Sequence, residues 1–184
     1  MKTIFLKNCT PKSGFLTGLT GRQLYPSLAD QLGPTPMAQP FLVDFLDTTA
    51  TGSFFSQAIF PLRDYARSLN QYLVLSNLNT ETKLELAWLL GVISDAFLMC
   101  ETDKKGIISN VTWIGGLDEK QWSILSAVSA LGGVDATTLS KEFKEDHIGI
   151  TGWNNRLASL SEKGLLIESK SGRSKIYKSV IKEN

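Results

Sequence analysis

The sequence has few of the residues that build disulfide frameworks or metal sites. Its 184 residues include two cysteines, Cys9 and Cys100, and a single histidine, His147. The cysteines are far apart and belong to no CxxC or Cys/His cluster, so neither a structural zinc site nor a disulfide framework is predicted. Both are expected to be buried, reduced side chains. No metal or cofactor is expected.

Long apolar runs are also missing. The most apolar window, LAWLLGVISDAFLMC, is interrupted by Asp95 and is too short to cross a bilayer. The N-terminal stretch MKTIFLKNCTPKSG has no apolar core of the length found in signal peptides. We therefore expect a cytoplasmic protein that does not enter a membrane.

The third absence concerns catalytic motifs. The sequence has no Gly-rich loop with phosphate-binding or dinucleotide-binding spacing, and no metal triad. Asp44 and Asp47 follow an apolar stretch, but their separation turns them to different sides of an extended strand. No enzyme is predicted, and only a deep pocket holding both acids and a metal would argue for one.

What is present is the composition of a folded globular protein, with 42% apolar and 20% charged residues. The formal net charge is +1. Because the chain as a whole is nearly neutral, any binding to nucleic acid must come from local clusters of positive charge.

Residues 1–113 alternate strand-like and helix-like stretches. FLVDFL and YLVLSNL are continuous apolar runs, typical of strands buried on both faces. Pro61 is expected to kink or restart the helix in SFFSQAIFPLRDYARSL. The helix in TKLELAWLLGVISDAF is expected to turn inward a stripe formed by Leu84, Ala87, Leu90 and Ile93. The alternation predicts a mixed α/β fold with a largely parallel sheet and covering helices.

A change of pattern follows the predicted strand–turn–strand at FLMCE and GIISNVTWI. Residues 114–117 are predicted to be a linker, with Gly115 and Gly116 as a flexible joint, and residues 118–184 a second domain. That domain reads as three helices and a hairpin, with the helices capped by Asp118, Asp135 and Thr151. Its expected inward side chains are Ile124, Leu125, Val128, Leu131, Ala136, Leu139, Phe143, Trp153, Leu157 and Leu160.

The third of these helices has an outer face suited to the major groove. With Trp153 inward, a rotation of about 100° per residue places Thr151, Asn155 and Ser159 outside. Asn154 and Arg156 lie on the flanks. Asn bonds adenine bidentately and Arg suits guanine, so these five residues are predicted to face bases. An exposed helix face can also carry such residues without binding anything.

The hairpin that follows is basic. From Lys163 to Lys182 the sequence has six cations and one acid, Glu168. Clustered cations neutralise phosphates and release counterions. The cations predicted to contact phosphate are Lys170, Arg173, Lys175 and Lys178, with Arg173 at the tip.

The stretch NRLASLSEKGLLIESKSGRSKIY, within the order helix–helix–helix–hairpin, resembles the winged helix-turn-helix domains of bacterial transcription regulators. The resemblance covers residues 117–181. It implies a recognition helix, a basic wing and binding to double-stranded DNA.

Residues 13–100 resemble the STAS-like fold of anti-sigma-factor antagonists and their relatives. The resemblance rests on GFLTGLTGRQLYPSLADQL and on the strand, loop and Ser-containing helix start in FLVDFLDTTATGSFF. It implies a domain that binds a protein partner or a small signal. The antagonists' phosphorylation motif is replaced here by TGSF, which leaves Ser53 as a candidate phosphoacceptor. Ser53 equally suits an ordinary N-cap.

These observations predict a two-domain, DNA-binding transcriptional regulator whose STAS-like domain receives a signal or partner. A homodimer is expected, since one small DNA-binding domain alone gives little sequence specificity. The alternative is an adaptor that binds other proteins and does not contact DNA. The acids Glu142, Glu145 and Asp146 before the third helix favour that alternative.

Overall fold

The computed structural model describes residues 1–9, 13–172 and 174–182, and gives only the backbone for Glu145 and Ser171. The described chain divides into two compact units, Met1–Gly116 and Leu117–Lys182. The fold is mixed α/β with a largely parallel central sheet, as the sequence predicts. Every helix in the described part of the chain is too short or too polar for a transmembrane span.

The first unit is built on a five-stranded sheet. Its strands, in chain order, are β1 (Lys2–Phe5), β3 (Gln39–Asp44), β5 (Gln71–Ser76), β6 (Ala96–Thr102) and β7 (Ile108–Gly115). They lie side by side in that same order; neighbours pair in parallel, except for the antiparallel hairpin of β6 and β7. Two short strands, β2 (Phe15–Leu16) and β4 (Thr49–Ala50), form a separate parallel pair.

The helices of the first unit pack partly on this sheet and partly on one another. They are α1 (Gly18–Ala29), α2 (Gly52–Phe54), α3 (Phe60–Ser68) and α4 (Thr80–Ile93). Every residue of β5 is buried, which is why its sequence does not alternate between apolar and polar. One cluster of buried side chains from strands and helices forms the core of the unit.

Pro61 disturbs its helix in the way the sequence predicts. Between α2 and α3 the backbone forms a π-helical stretch, Phe55–Ile59, before α3 starts with Pro61 near its first position. Proline has no N–H to donate and its ring crowds the carbonyl one turn back, so a widened turn removes the conflict. The prediction that Pro61 disturbs the helix is confirmed, but the helical backbone continues without a break through Phe55–Ile59 into α3.

Of the four side chains of α4 expected to face inward, Leu90 is buried as predicted, but Leu84, Ala87 and Ile93 are exposed. The other buried residues of α4 are Thr82 and Leu86. Apolar residues also lie on the outer side of the helix, so spacing alone did not identify its inward stripe. Thr82 belongs inside because its hydroxyl accepts a hydrogen bond from the Ala50 backbone N–H at 3.0 Å.

The predicted linker at 114–117 overlaps the end of β7. Ile114 is buried and pairs with Phe97, and Gly115 pairs with Ala96. A Cβ on Gly115 would collide with the Asp95 carbonyl oxygen and would lie 2.8 Å from the Ala96 Cα, at a φ of 133°. Glycine at this position therefore permits a close backbone approach within a sheet and is not a flexible joint.

The second unit contains three helices and a hairpin. Its elements are α5 (Glu119–Leu131), α6 (Ala136–Glu142), α7 (Ile150–Glu162), β8 (Leu166–Ser171) and β9 (Ser174–Ser179). Asp118 caps α5 in a capping box with Gln121, and Asp135 caps α6, both as predicted. Gly132 ends α5 in the left-handed conformation, with φ 75°.

Two predicted details of the second unit are wrong. The N-cap of α7 is Gly149, and Thr151 lies inside the first turn, because the helical hydrogen bonds begin with Trp153 N–H to the Gly149 carbonyl. Leu131 is half exposed, since α5 ends there at Gly132 and presents the side chain to solvent.

Candidate functional site

The second unit contains an open groove of about 470 Å³. The start of α6, one side of α7 and the strand β9 enclose it. Its lining residues are Asp135, Ala136, Thr137, Ile150, Asn154, Asn155, Ala158, Ser174, Lys175 and Tyr177. The groove thus brings together three residues predicted as site residues from different parts of the chain: Asn154, Asn155 and Lys175.

An aromatic cluster sets the orientation of α7. Trp153 is fully buried, and its ring stacks on Phe143 with 5.3 Å between centroids. The Lys120 ammonium lies 5.0 Å from the Phe143 ring centroid and forms an ion pair with Asp146. Leu157 is also fully buried. These contacts hold the opposite side of α7 toward the groove and toward solvent.

The outer residues of α7 are divided between two sides of the helix. Thr151 and Asn155 are exposed, and Asn154 and Ser159 are half-buried. The Arg156 guanidinium lies 6.0 Å from the Trp153 ring centroid and is not part of the groove lining. Arg156 and Asn154 therefore occupy opposite flanks of the helix, as the rotation per residue requires.

Two backbone hydrogen bonds hold the hairpin against the turn between α5 and α6. The Val134 N–H donates to the Tyr177 carbonyl at 2.9 Å, and the Tyr177 N–H donates to the Val134 carbonyl at 2.7 Å. Tyr177 is fully buried. Because β9 is held at its centre, its position beside α7 is set by this bridge as well as by side-chain packing.

The predicted phosphate contacts do not all share one surface. Lys170 and Lys175 lie directly opposite each other in the strand register and therefore on the same face of the hairpin. Lys178 lies on the other face, because successive residues of a strand alternate. There the Lys178 side chain covers Gly133. A Cβ added to that glycine would lie 3.3 Å from the Lys178 Cγ. Arg173 lies outside the described residues.

Glu168 is the site residue that the sequence did not identify. Its carboxylate accepts from Lys175 Nζ at 2.9 Å and from the Tyr177 hydroxyl at 3.1 Å. The Lys175 hydrogen bond is the main reason that the pKa of Glu168 is lowered. Burial and the neighbouring Glu168 raise the pKa of Tyr177 to about 12. A hairpin register read through SGRS would have paired Glu168 with Tyr177, which is the signal that could have revealed it.

A second carboxylate lies at the mouth of the groove. Asp135 accepts from the Thr138 backbone N–H at 2.7 Å and from the Thr138 hydroxyl at 2.8 Å. The backbone hydrogen bond is the first cause, and the hydroxyl the second, of the lowered pKa of Asp135. The groove lining therefore combines amide and hydroxyl groups with one cation, Lys175, and one acid, Asp135, while Glu168 bonds Lys175 and Tyr177 from beside the groove.

In the first unit, Ser53 is exposed and lies where two helices begin. Its hydroxyl accepts from the Gly18 backbone N–H at 3.1 Å and lies 2.9 Å from the Thr51 hydroxyl. The N-cap of α2 is Thr51, so the alternative that Ser53 is itself the cap is wrong. The Gly52 N–H donates to a Glu85 carboxylate oxygen at 3.0 Å.

Asp44 and Asp47 do not form a pair. The Asp44 carboxylate is buried and accepts from the Leu46 N–H at 2.8 Å and from the Asn77 amide at 3.1 Å. Asp47 lies in an exposed turn, at φ 60°, and pairs with Lys7 at 3.6 Å. Among the residues that the structure describes, no three His, Cys, Asp or Glu side chains are placed to hold a metal ion.

A scan against protein-family models finds no match for this chain, and a search of curated proteins finds none either.

Proposed function

We propose that this chain is a transcriptional regulator whose second unit is a winged helix-turn-helix domain that binds duplex DNA. The observation that carries the proposal is the groove in which Asn154 and Asn155 of α7 lie beside Lys175 of the hairpin. A helix with small polar groups beside a cationic ribbon can place one element at base edges and the other at the phosphate backbone.

In this proposal the N-terminal half of α7 enters the major groove. Asn155 is exposed and bonds adenine through both groups of its amide, while Asn154 reaches an adjacent base. The methyl groups of Thr151 and Ala158 suit the methyl group of thymine. Arg156 and Ser159, on the far side of the helix, contact a neighbouring base or phosphate.

The hairpin supplies phosphate contacts from its two faces. Lys170 and Lys175 bind the phosphates beside the α7 groove, Lys178 binds from the opposite face, and Arg173, outside the described residues, supplies a further cation. Lys175 first has to leave Glu168. Both side chains are partly exposed, at 48% and 30%, and pairs of this kind contribute roughly 0–1 kcal/mol. A phosphate can therefore replace the carboxylate at little cost.

The first unit, in this proposal, is a STAS-like domain that receives a protein partner or a small signal. Ser53 is the proposed phosphorylation site of this domain. Its exposed hydroxyl lies at two helix N-termini, where backbone N–H groups favour an anion. A homodimer would double the surface that contacts DNA and would favour a palindromic DNA site.

The test is selection of bound fragments from random duplex DNA by the full chain, followed by affinity measured across a salt series. We expect a short enriched site and an affinity that falls steeply with salt. Replacing Lys170 and Lys175 by alanine should reduce the salt slope by about 2, one for each lost phosphate contact. Lys104→Ala, on an exposed turn of the first unit, is the matched control.

A second candidate function is an adaptor whose groove binds a basic segment of another protein. Glu168 and Asp135 favour it, because two ionised acids beside the groove attract cations as well as they repel phosphate. Failure to enrich any DNA, together with an unchanged salt slope in the Lys170 and Lys175 double variant, would favour the adaptor.

A further inference from the structure

The helix α4 carries apolar side chains on the side that points away from the core. Leu84, Trp88 and Val92 follow one another at intervals of one helical turn and are 68%, 73% and 68% exposed. Ala87 and Gly91, also exposed, lie beside them. We call this surface, formed by Leu84, Ala87, Trp88, Gly91 and Val92, the α4 outer face.

The first unit does not need the α4 outer face for its own packing. The opposite side of the helix already enters the core through Leu86 and Leu90. The Trp88 indole makes no ring contact or hydrogen bond with any residue that the structure describes. Exposed Trp and Leu in one contiguous row are unusual on a surface that contacts only water, and such rows mark interaction sites.

Acidic side chains border one edge of this face. Glu81 and Glu85, together with Leu84 and Trp88, line a shallow cavity of about 250 Å³. One Glu85 oxygen is bonded to the Gly52 N–H. Glu81 forms no ion pair within the described part of the chain. The cavity therefore combines two carboxylates with an aliphatic and an aromatic wall.

We propose that the α4 outer face docks a basic amphipathic segment of a partner protein. A Lys or Arg side chain of that segment enters the cavity, where its aliphatic stem packs on Leu84 and Trp88 and its charge meets Glu81 and Glu85. Apolar residues one turn away along the partner cover Val92, in the manner of a helix lying in a groove. The proposal is independent of DNA binding by the second unit.

The charge of the face favours such a partner over a second copy of this chain. In an antiparallel two-fold pair of α4 helices, the same edge of each copy meets, so Glu81 and Glu85 would face their own counterparts. The opposite edge carries Lys83 beside Ala87, and the same symmetry would bring Lys83 against its own counterpart and not against the acids. A basic segment that lies along the acidic edge neutralises Glu81 and Glu85.

The experiment is a selection of displayed random peptides on the full chain, after peptides that also bind the Trp88→Ala variant have been removed. We expect the enriched peptides to share a Lys or Arg within one helical turn of a large apolar residue. A synthesised peptide should bind the wild-type chain about tenfold or more tightly than it binds Trp88→Ala or Glu81→Lys. Met37→Ala, which removes an equally exposed apolar side chain, should not change its affinity.

Several results would overturn the proposal. They are an absence of enriched peptides, peptides without a shared cation, and equal binding to the wild-type and Trp88→Ala chains. Sedimentation supplies a further one: if the wild-type chain is a dimer that Trp88→Ala dissociates, the occupant of the face is a second copy. Circular dichroism checks that each variant folds. DNA binding by Trp88→Ala, measured in parallel, separates this outcome from the fate of the proposed function.

Discussion

The helices α4 and α7, one in each unit, are alike in length and on their inner sides but opposite in character on their outer sides. They contain 14 and 13 residues. Their buried stripes are Thr82, Leu86 and Leu90 in α4, and Trp153, Leu157 and Leu160 in α7. Their outer residues are Leu84, Trp88 and Val92 in α4, and Thr151, Asn155 and Glu162 in α7.

The inner stripe of each helix serves the packing of its own unit, whereas the outer side is free to suit a partner. Polar amides and hydroxyls on α7 can satisfy hydrogen bonds at base edges and lose little by facing water until then. Apolar side chains on α4 gain only when another surface removes them from water. The same helix geometry thus supports two unlike proposals, for DNA and for a protein.

The sharpest test of this comparison replaces the tryptophan of each helix. Trp153 is fully buried, so Trp153→Ala should lower the free energy of unfolding of the second unit by about 3–5 kcal/mol. Trp88 is exposed, so Trp88→Ala should change that of the first unit by less than about 0.5 kcal/mol. Urea denaturation of the full chain, followed by circular dichroism, measures both.

The two faces of α4 give a second test within one helix. Leu86→Ala opens a cavity in the core and should cost about 2–5 kcal/mol of stability in the first unit. Leu84→Ala, two residues away and exposed, is the matched control and should have little effect. Equal losses for the two variants would mean that α4 has no distinct outer face, and the comparison with α7 would fail.

The success of sequence prediction also differed between the two helices, for a physical reason. In α7 only one side is apolar, so helical spacing predicts Trp153 and Leu157 as buried, and they are. In α4 apolar residues occur both on the inner side and on the outer side, so spacing alone does not identify the buried stripe. The buried stripe includes Thr82, whose hydroxyl accepts from the Ala50 N–H, and local spacing does not reveal a contact between residues so far apart in the sequence.

The hairpin shows the same limit at the site. Its strands, its turn and its positive charge could be predicted from local residues, but the neighbours of each cation follow only when the strand register is worked out as well. The register places Lys178 on the face opposite Lys175, and Glu168 beside Lys175. Counting cations treats them as one cluster, whereas the alternation of side chains separates them.

A third test concerns the hydrogen bond between the buried Tyr177 and the partly exposed Glu168, which has no equivalent on the outer side of α4 in the described structure. Burial raises the pKa of Tyr177 from its ordinary value of 10.0 to about 12. A raised pKa means that the stability contributed by the neutral hydroxyl is complete below pH 10 and is lost as the pH rises toward 12. At neutral pH, Tyr177→Phe should cost about 1.5 kcal/mol through the lost hydrogen bond to Glu168.

The measurements for Tyr177 are the phenolate absorbance of the folded chain during an alkaline titration and urea denaturation at each pH. Tyr177→Phe should remove a titration step near pH 12 and flatten the alkaline loss of stability. An unchanged titration curve in the Phe variant would show that Tyr177 is not held by Glu168 and burial.

Substitutions at Gly149, which should have the smallest effect on stability, test whether the start of α7 lies near the phosphates of bound DNA. Gly149 caps this helix without a side-chain hydrogen bond, at φ −69° and ψ 162°, and a Cβ there would meet no described atom within 4 Å. Gly149→Asn and Gly149→Asp should each stabilise the second unit by about 0.3 kcal/mol, since both side chains can cap the free N–H groups.

Only the Asp variant adds a negative charge, so it alone should weaken DNA binding, because the new carboxylate repels the phosphates that the helix start approaches. Thermal denaturation measures the first effect and a salt series of DNA affinity the second. Equal DNA affinity in the Asn and Asp variants would place the start of α7 away from the DNA backbone and would remove one reason for regarding α7 as the reading helix.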